Sequence, residues 1–348
     1  MSIPRHFFAA ANGYTGFRSY FDSVFCSEDY DKIYVIKGGP GTGKSSFMKK
    51  LSSYFAEREV ITENIHCSSD PDSLDGVVLE KDGKRVGLLD GTAPHERDAI
   101  VPGAIDELIN LGANWDTRWL KAQKNKILEL NKEKKSAYKT AYSYLNIAGM
   151  ANTKIVDKKK KACDLYLLKV LIKSVAETTS ELKSVNVSTR LISGFGKRGV
   201  VKFDTLNSME YKHFSIQGDK EAGYIFINEL IKMFSEFKSN ITRFPCPLDD
   251  KKYEAVILHD TGLCFDVFGN GEEINTLDFF SENKVNAEQI KAMEVIEEDA
   301  LKHAERWFNV ASEIHSELEE IYSKSMNFDK NNLLYEEKRN EICDILLI

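Results

Sequence analysis

Apolar and polar positions along this chain follow two regimes. Short runs rich in β-branched and aromatic residues have the length and composition of buried strands: Lys32-Ile-Tyr-Val-Ile-Lys37, the segment 60–65, and Arg85-Val-Gly-Leu-Leu-Asp90. Between the first two, over residues 45–58, the period lengthens to that of a helix. Two longer stretches, 118–173 and 284–344, are nearly free of Gly and Pro and rich in Lys, Glu, Leu and Ala, with apolar pairs such as Ile127/Leu130 and Leu168/Leu171 at helical spacing. They predict long helical arms.

The strand-rich part recurs. With a shift of 180, Ile36, Gly38 and Gly43 fall on Ile216, Gly218 and Gly223. With a shift of 179, Cys67 falls on Cys246 and Val77-Val78-Leu79 on Val256-Ile257-Leu258, and upstream Phe21-Asp22 meets Phe203-Asp204 at 182. A repeat with small deletions predicts two α/β cores of βαβ type, the second retaining the glycine skeleton of the first, and each followed by its own helical arm.

Composition sets the class. The 348 residues are 42% apolar and 29% charged, with 7 Pro and 21 Gly, which excludes disordered and fibrous chains and suits two ordinary domains. No apolar run approaches the roughly 20 residues of a membrane span, and the start, Met1-Ser-Ile-Pro-Arg-His6, carries no leader pattern, so a cytoplasmic location is expected. The six cysteines form no C-x-x-C pair, so reduced thiols are expected rather than a zinc knuckle or a disulfide framework. A net charge of −7 gives no reason to expect nucleic acid. Charge is nevertheless polarised: 118–173 holds fifteen Lys/Arg and four Asp/Glu, whereas 284–344 holds eight and fifteen. The basic arm is expected to dock on the acidic one or on phosphates, and the arms offer a surface for a protein partner.

One motif carries chemistry. Gly38-Gly39-Pro40-Gly41-Thr42-Gly43-Lys44-Ser45 satisfies G-x-x-x-x-G-K-[ST] between a strand and a helix, the context of a phosphate-binding loop. Glycines let backbone amides approach a polyphosphate, and the helix start adds positive potential. Lys44 would neutralise the β- and γ-phosphates, while Ser45 would hold Mg²⁺ and Ser46 would extend the binding set. Asp90, ending an apolar strand, is the candidate second metal ligand. The acid that follows the metal carboxylate in many ATPases is missing, since residue 91 is Gly. The string His66-Cys-Ser-Ser-Asp-Pro-Asp-Ser-Leu-Asp-Gly76 and the string Thr92-Ala-Pro-His-Glu96 should leave strand C-termini near the phosphates, making Asp70, Asp72, His95 and Glu96 candidates for orienting water or a phosphoryl acceptor. His66 and Cys67 read as structural. In the second half, Tyr224 and Ile225 replace Lys44 and Ser45, and a constant shift of 179 puts Gly269 at Asp90, so that half should bind no nucleotide.

These strings, with Arg5-His-Phe-Phe8, Phe21-Asp-Ser23, Leu89-Asp-Gly-Thr-Ala-Pro-His95 and Val101-Pro-Gly103, make the chain resemble bacterial two-repeat P-loop ATPases of largely uncharacterised function, typical of spore-forming Gram-positive lineages and sometimes labelled nucleotide kinases. The resemblance implies ATP binding, leaves hydrolysis open and carries over no substrate. It departs at the second loop, where relatives often keep Lys-Ser. The expected fold is thus α/β with tandem P-loop NTPase-like cores, divided as 1–116 (active core), 117–185 (basic arm), 186–282 (degenerate core) and 283–348 (acidic arm). The expected ligands are ATP and Mg²⁺, adenine being favoured because no guanine-reading N/T-K-x-D string occurs. Three functions follow: an ATPase, a nucleotide or small-molecule kinase with the Lys-rich arm as lid, or an ATP-gated switch whose arms bind a protein.

Overall fold

The computed structural model describes residues 3–175, 187–236, 240–269 and 271–348; the boundary expected at 185–186 lies outside the described residues. The first half contributes β1 (Arg5–Phe8), a hairpin of β2 (Ala10–Gly13) and β3 (Gly16–Ser19), the one-turn α1 (Phe21–Val24), β4 (Lys32–Lys37), α2 (Lys44–Ala56), β5 (Ile61–His66), β6 (Leu74–Lys81), β7 (Lys84–Asp90) and β8 (Asp106–Asn110). It continues through α3 (Thr117–Ala122), α4 (Lys124–Lys160) and α5 (Leu165–Val175). The second half contributes β9 (Val187–Thr189), a hairpin of β10 (Ser193–Gly196) and β11 (Gly199–Lys202), β12 (Lys212–Gln217), α6 (Lys220–Glu236), β13 (Ile241–Pro245), β14 (Tyr253–Leu258), β15 (Leu263–Asp266), β16 (Glu272–Asn275), α7 (Ala287–Ser323) and α8 (Phe328–Ile345).

Two six-stranded mixed sheets result. The first runs β1-β5-β6-β7-β4-β8 and the second β9-β13-β14-β15-β12-β16, and each has three parallel and two antiparallel pairings in the same places. The central strand β4 is buried on both faces, as its continuous apolar run requires. Tyr34 and Ile36 point to a layer with Phe47, Met48, Leu51 and Phe55 of α2, while Ile33 and Val35 point to the second sheet, meeting a cluster that contains Ala255, Ile257 and Cys264. The far face of the second sheet, with Phe214, Ile216 and Phe265, packs on Phe226, Ile227 and Leu230 of α6. The order is helices, sheet, sheet, helices.

The arms do not stand apart from this stack. Helices α4 and α7 run antiparallel along each other, from Lys126 near Glu317 (3.7 Å) to Lys159 near Glu294 (3.7 Å). Their seam is small and apolar, with Ala137, Ala141, Leu145 and Ala148 on one side and Ala300, Ala304, Phe308 and Ala311 on the other, all buried. The expected docking of basic on acidic arm is found, but its main cause is this seam. The exposed pair Lys126–Glu317 contributes only about 0.2–1 kcal/mol, whereas each fully buried Leu or Phe contributes about 1.5–3 kcal/mol. The arms then exchange: α5 of the first half packs Leu168 and Ile172 on the second sheet's helical layer, and α8 of the second half packs Ile342 and Leu346 on the first.

The hairpins exchange as well. The Tyr14 amide donates to Leu248 O (2.8 Å) and the Lys197 amide to Ser69 O (3.3 Å), so each hairpin tip rests on the loop after the other sheet's second strand. Near the centre Phe8 and Leu191 pair reciprocally through backbone bonds of 2.7 and 3.0 Å. Gly149 of α4 lets the arm sit on the first hairpin, since a Cβ there would lie 2.6 Å from Tyr14 Cβ. His6 Nδ1 and His66 Nε2 are 2.8 Å apart, and His66 Nδ1 lies 2.6 Å from Pro71 O, which joins β1 to the turn that follows β5.

Two predictions follow from these contacts. In an open helix Gly→Ala gains about 1 kcal/mol, but overpacking costs about 1–3 kcal/mol. Gly149→Ala should therefore lower stability in urea melts and Gly149→Val should lower it further; a stabilised Gly149→Ala would show that Tyr14 is free to yield. Burial lowers the His66 pKa to about 4, with the backbone bond to Pro71 opposing the shift. Because the folded value lies below the unfolded one, the associated stability is complete above about pH 6.5 and is lost as pH falls toward 4. His66→Gln should flatten the melting temperature across that window, and an unchanged slope would remove His66 from the account.

Candidate functional site

Strands β4, β5 and β7 point the same way in the first sheet, so the loops 38–43, 67–73 and 91–105 leave one edge together. The first of these is bent by Gly41 (φ +68°) and Gly43 (φ +88°), left-handed values open to glycine. Helix α2 starts at Lys44, close to the expected 45, with Gly43 as an N-cap that offers no side-chain bond to the first turn. Its amides face the loop, the arrangement suited to an anion. Thr42 Oγ1 donates to Gly39 O (2.9 Å) and closes the bend; Pro40 lies within it, and Ser46 is exposed on the first helical turn.

Lys44 folds back over this loop. Its ammonium donates to Gly38 O (2.7 Å) and Gly39 O (2.9 Å) and lies 3.5 Å from Asp90 Oδ2, both side chains being largely buried. Asp90 ends β7 next to β4, as anticipated, and its Oδ1 accepts from Thr92 N and Oγ1. Ser45 Oγ accepts from Leu74 N (2.9 Å), which ties α2 to β6 and leaves the hydroxyl a second lone pair.

An acid on the neighbouring strand lies beside Asp90. Asp75, at the start of β6, joins Asp90 and His95 in a buried cluster whose ligating atoms lie within 4.8 Å of one another, His95 Nε2 being 4.0 Å from Asp75 Oδ2. Burial raises the Asp75 carboxyl to about 6; His95 opposes the shift and Asp90 adds to it. His95 stacks on Phe21, and neither of its buried ring nitrogens has a hydrogen-bond partner among the described residues. Two carboxylates, a hydroxyl and an unpartnered imidazole therefore converge beside the loop. This donor set fits a divalent cation with hard oxygen ligands. The signal in the sequence for Asp75 was an acid inside the apolar run Leu74-Asp-Gly-Val-Val-Leu79.

The other candidates are not part of this cluster. Asp70 is 2.8 Å from Lys197 Nζ and Asp72 is 2.5 Å from Arg198, both cations coming from the tip of the second half's hairpin, and Glu96 is exposed. Local sequence gave no sign of a further group that meets the loop from the acidic arm. A Cβ on Gly41 would lie 2.4 Å from Glu319 O, Gly39 packs on Trp115 and Tyr322, and Gly43 faces Phe328. The Gly41 amide donates to the Glu319 carboxylate, and Asn331 Nδ2 donates to Thr42 O (3.0 Å). Lys134 of α4 lies 3.3 Å from His315 Nδ1, and burial together with Lys134 and Lys44 lowers the His315 pKa to about 4.

The second half lacks this loop. Helix α6 begins at Lys220, directly after Gly218 and Asp219, so Gly223 lies inside a helix, and the glycine skeleton expected to recur forms no cradle. Strand pairing also corrects one correspondence: Asp90 is opposite Ile36, and the residue after Asp266, which is opposite Ser215, is Val267. Val267, not Gly269, holds the Asp90 position and contacts Gly223. No carboxylate stands at that position in either alignment. No helix among the described residues is long and apolar enough to cross a membrane. No family model matches the chain, and neither the curated proteins nor the solved structures contain a match.

Proposed function

We propose that the chain binds a nucleoside triphosphate, ATP by preference, with Mg²⁺ at the 38–45 loop and hydrolyses it, the two halves being a duplicated P-loop-type core of which only the first retains the site. The observation that carries this reading is the G-x-x-x-x-G-K-S string folded between β4 and α2, with Lys44 reaching Asp90 on the adjacent parallel strand. A carboxylate of the protein's own, Glu319, already accepts from the Gly41 amide, as a phosphate oxygen would.

The residues divide the work by their chemistry. Lys44 exchanges loop carbonyls for phosphate oxygens, and the first-turn amides of α2 orient them. Ser45 and Asp90 would supply oxygens to the metal, which would neutralise charge on the phosphates. Asp75 and His95 accept or hold the proton of an attacking water, a task suited to a buried carboxyl whose pKa is about 6. Arg97 keeps the 91–105 loop in place: its guanidinium lies 3.5 Å from buried Asp106, which also accepts from the Val101 amide.

A second reading, the ATP-gated switch, is favoured by the α7 end lying over the loop: phosphates displace Glu319, and the acidic arm moves with it.

Lys44→Ala should weaken MgATP binding at least about tenfold by calorimetry, the loss expected for charge-assisted bonds of about 1.5–3 kcal/mol, and should bring phosphate release to background. Equal binding heats for both proteins would overturn the site assignment. Glu319→Ala removes a competing carboxylate and should tighten MgATP binding by about threefold or more, corresponding to a surface-pair energy under about 1 kcal/mol. Weaker binding by that variant would make Glu319 part of the nucleotide site rather than its cover.

A further inference from the structure

The face of the second sheet that meets the first carries three side chains foreign to an apolar seam. His213 on β12 is directly opposite Cys264 on β15, and Ser215 is opposite Asp266, so His213, Cys264 and Asp266 project from one face of adjacent parallel strands. Their ligating atoms all lie within 4.8 Å of one another. Cys264 is 0% and Asp266 1% exposed, while His213 is only partly buried and leaves a way in.

The corresponding places in the first sheet show what such a face ordinarily holds. There Ile33 is opposite Gly87 and Val35 is opposite Leu89, all of them apolar. In the second sheet the same pairings bring an imidazole, a thiol and a carboxylate to one spot. Both ring nitrogens of His213 are buried and have no hydrogen-bond partner among the described residues. A buried polar group without a partner is destabilising. Asp266, by contrast, is held in place: its Oδ1 accepts from Ser215 Oγ (3.0 Å) and from the Phe268 amide (2.7 Å). An oriented carboxylate beside an unsatisfied imidazole and a thiol is the arrangement that a metal ligand set requires.

We infer that His213, Cys264 and Asp266 form a binding site for a thiophilic divalent cation of the Zn²⁺ class. Mixed nitrogen, sulfur and oxygen donors suit a borderline-soft ion of tetrahedral habit, with solvent as the fourth ligand on the His213 side. Mg²⁺ and Ca²⁺ are disfavoured by the sulfur. On binding, the Cys264 thiol releases its proton to solvent and the thiolate bonds the ion, so metal affinity becomes folding free energy for the sheet interface. Nothing in this site depends on the phosphate loop, whose residues belong to the other sheet.

The test uses the full-length chain, stripped with a chelator and titrated with Co²⁺, whose tetrahedral complexes absorb in the visible and whose thiolate bonds add a near-ultraviolet charge-transfer band. The expected result is saturation at about one equivalent for the charge-transfer band, its loss in Cys264→Ser, and its retention in Cys67→Ser, a control required because Cys67 neighbours Asp75. Zn²⁺ should displace the Co²⁺ and raise the melting temperature. Should Cys264→Ser fail to fold, His213→Gln, which breaks no hydrogen bond, keeps the thiol and should weaken Co²⁺ at least about tenfold. Absence of a charge-transfer band in the unaltered chain, a band that survives Cys264→Ser, or unchanged affinity in His213→Gln would each overturn the site.

Discussion

The apolar contact between the two sheets is the constraint on which the rest of the structure depends. Each sheet has a helical layer on only one side, and the other side of each is too apolar to face water: Ile33, Val35, Val78 and Leu89 in the first, Ala255 and Ile257 in the second. Neither half can bury its inner face alone, so the halves close on each other. Once they do, chain direction decides the remainder. Hairpin tips come to rest on the opposite loops, and the arms leave the stack side by side.

The exchange of arms follows from that closure. Had each arm returned to its own half, α5 and α8 would lie beside the sheets that precede them; instead each completes the helical layer of the other. The alanine seam of α4 and α7 makes the crossing close, and the opposite charges select the antiparallel partner more than they hold it. A long-range contact comes from geometry alone. The C-terminal end of α7 and the start of α8 arrive at the 38–43 loop of the first half, so Glu319, Tyr322 and Phe328 meet glycines nearly three hundred residues earlier in the chain.

The legible part of this protein was what local chemistry dictates. Strand β4, helix α2 and the loop between them could be read from period and glycine spacing because they are contiguous in the chain; Asp90 could be read from its place at the end of an apolar strand 46 residues after Lys44. The long arms could be read from the scarcity of Gly and Pro. Asp75 was harder, since its role depends on antiparallel pairing of β6 with β7, a register that no single segment encodes. Lys134, His315 and Glu319 could not be read, because helical faces rich in Lys and Glu look alike until the arm has been placed. Gly223 misled: the residue type persisted, but α6 starts earlier and absorbs it as an ordinary helical position.

Divergence between the halves is therefore a matter of where polar groups were retained. The first sheet keeps its inner face apolar and places Asp75, Asp90 and His95 at the strand ends, where ligands enter. The second has Tyr224, buried, at the position of Lys44 and Val267 at that of Asp90, yet it carries polar side chains in the middle of its inner face. Its hairpin meanwhile aims Lys197 and Arg198 at Asp70 and Asp72 of the first half. A half that only filled space would need none of these charges. They are directed at Asp70 and Asp72 in the loop that follows β5, so the second half fixes the position of a loop that leaves the first sheet on the same edge as residues 38–43.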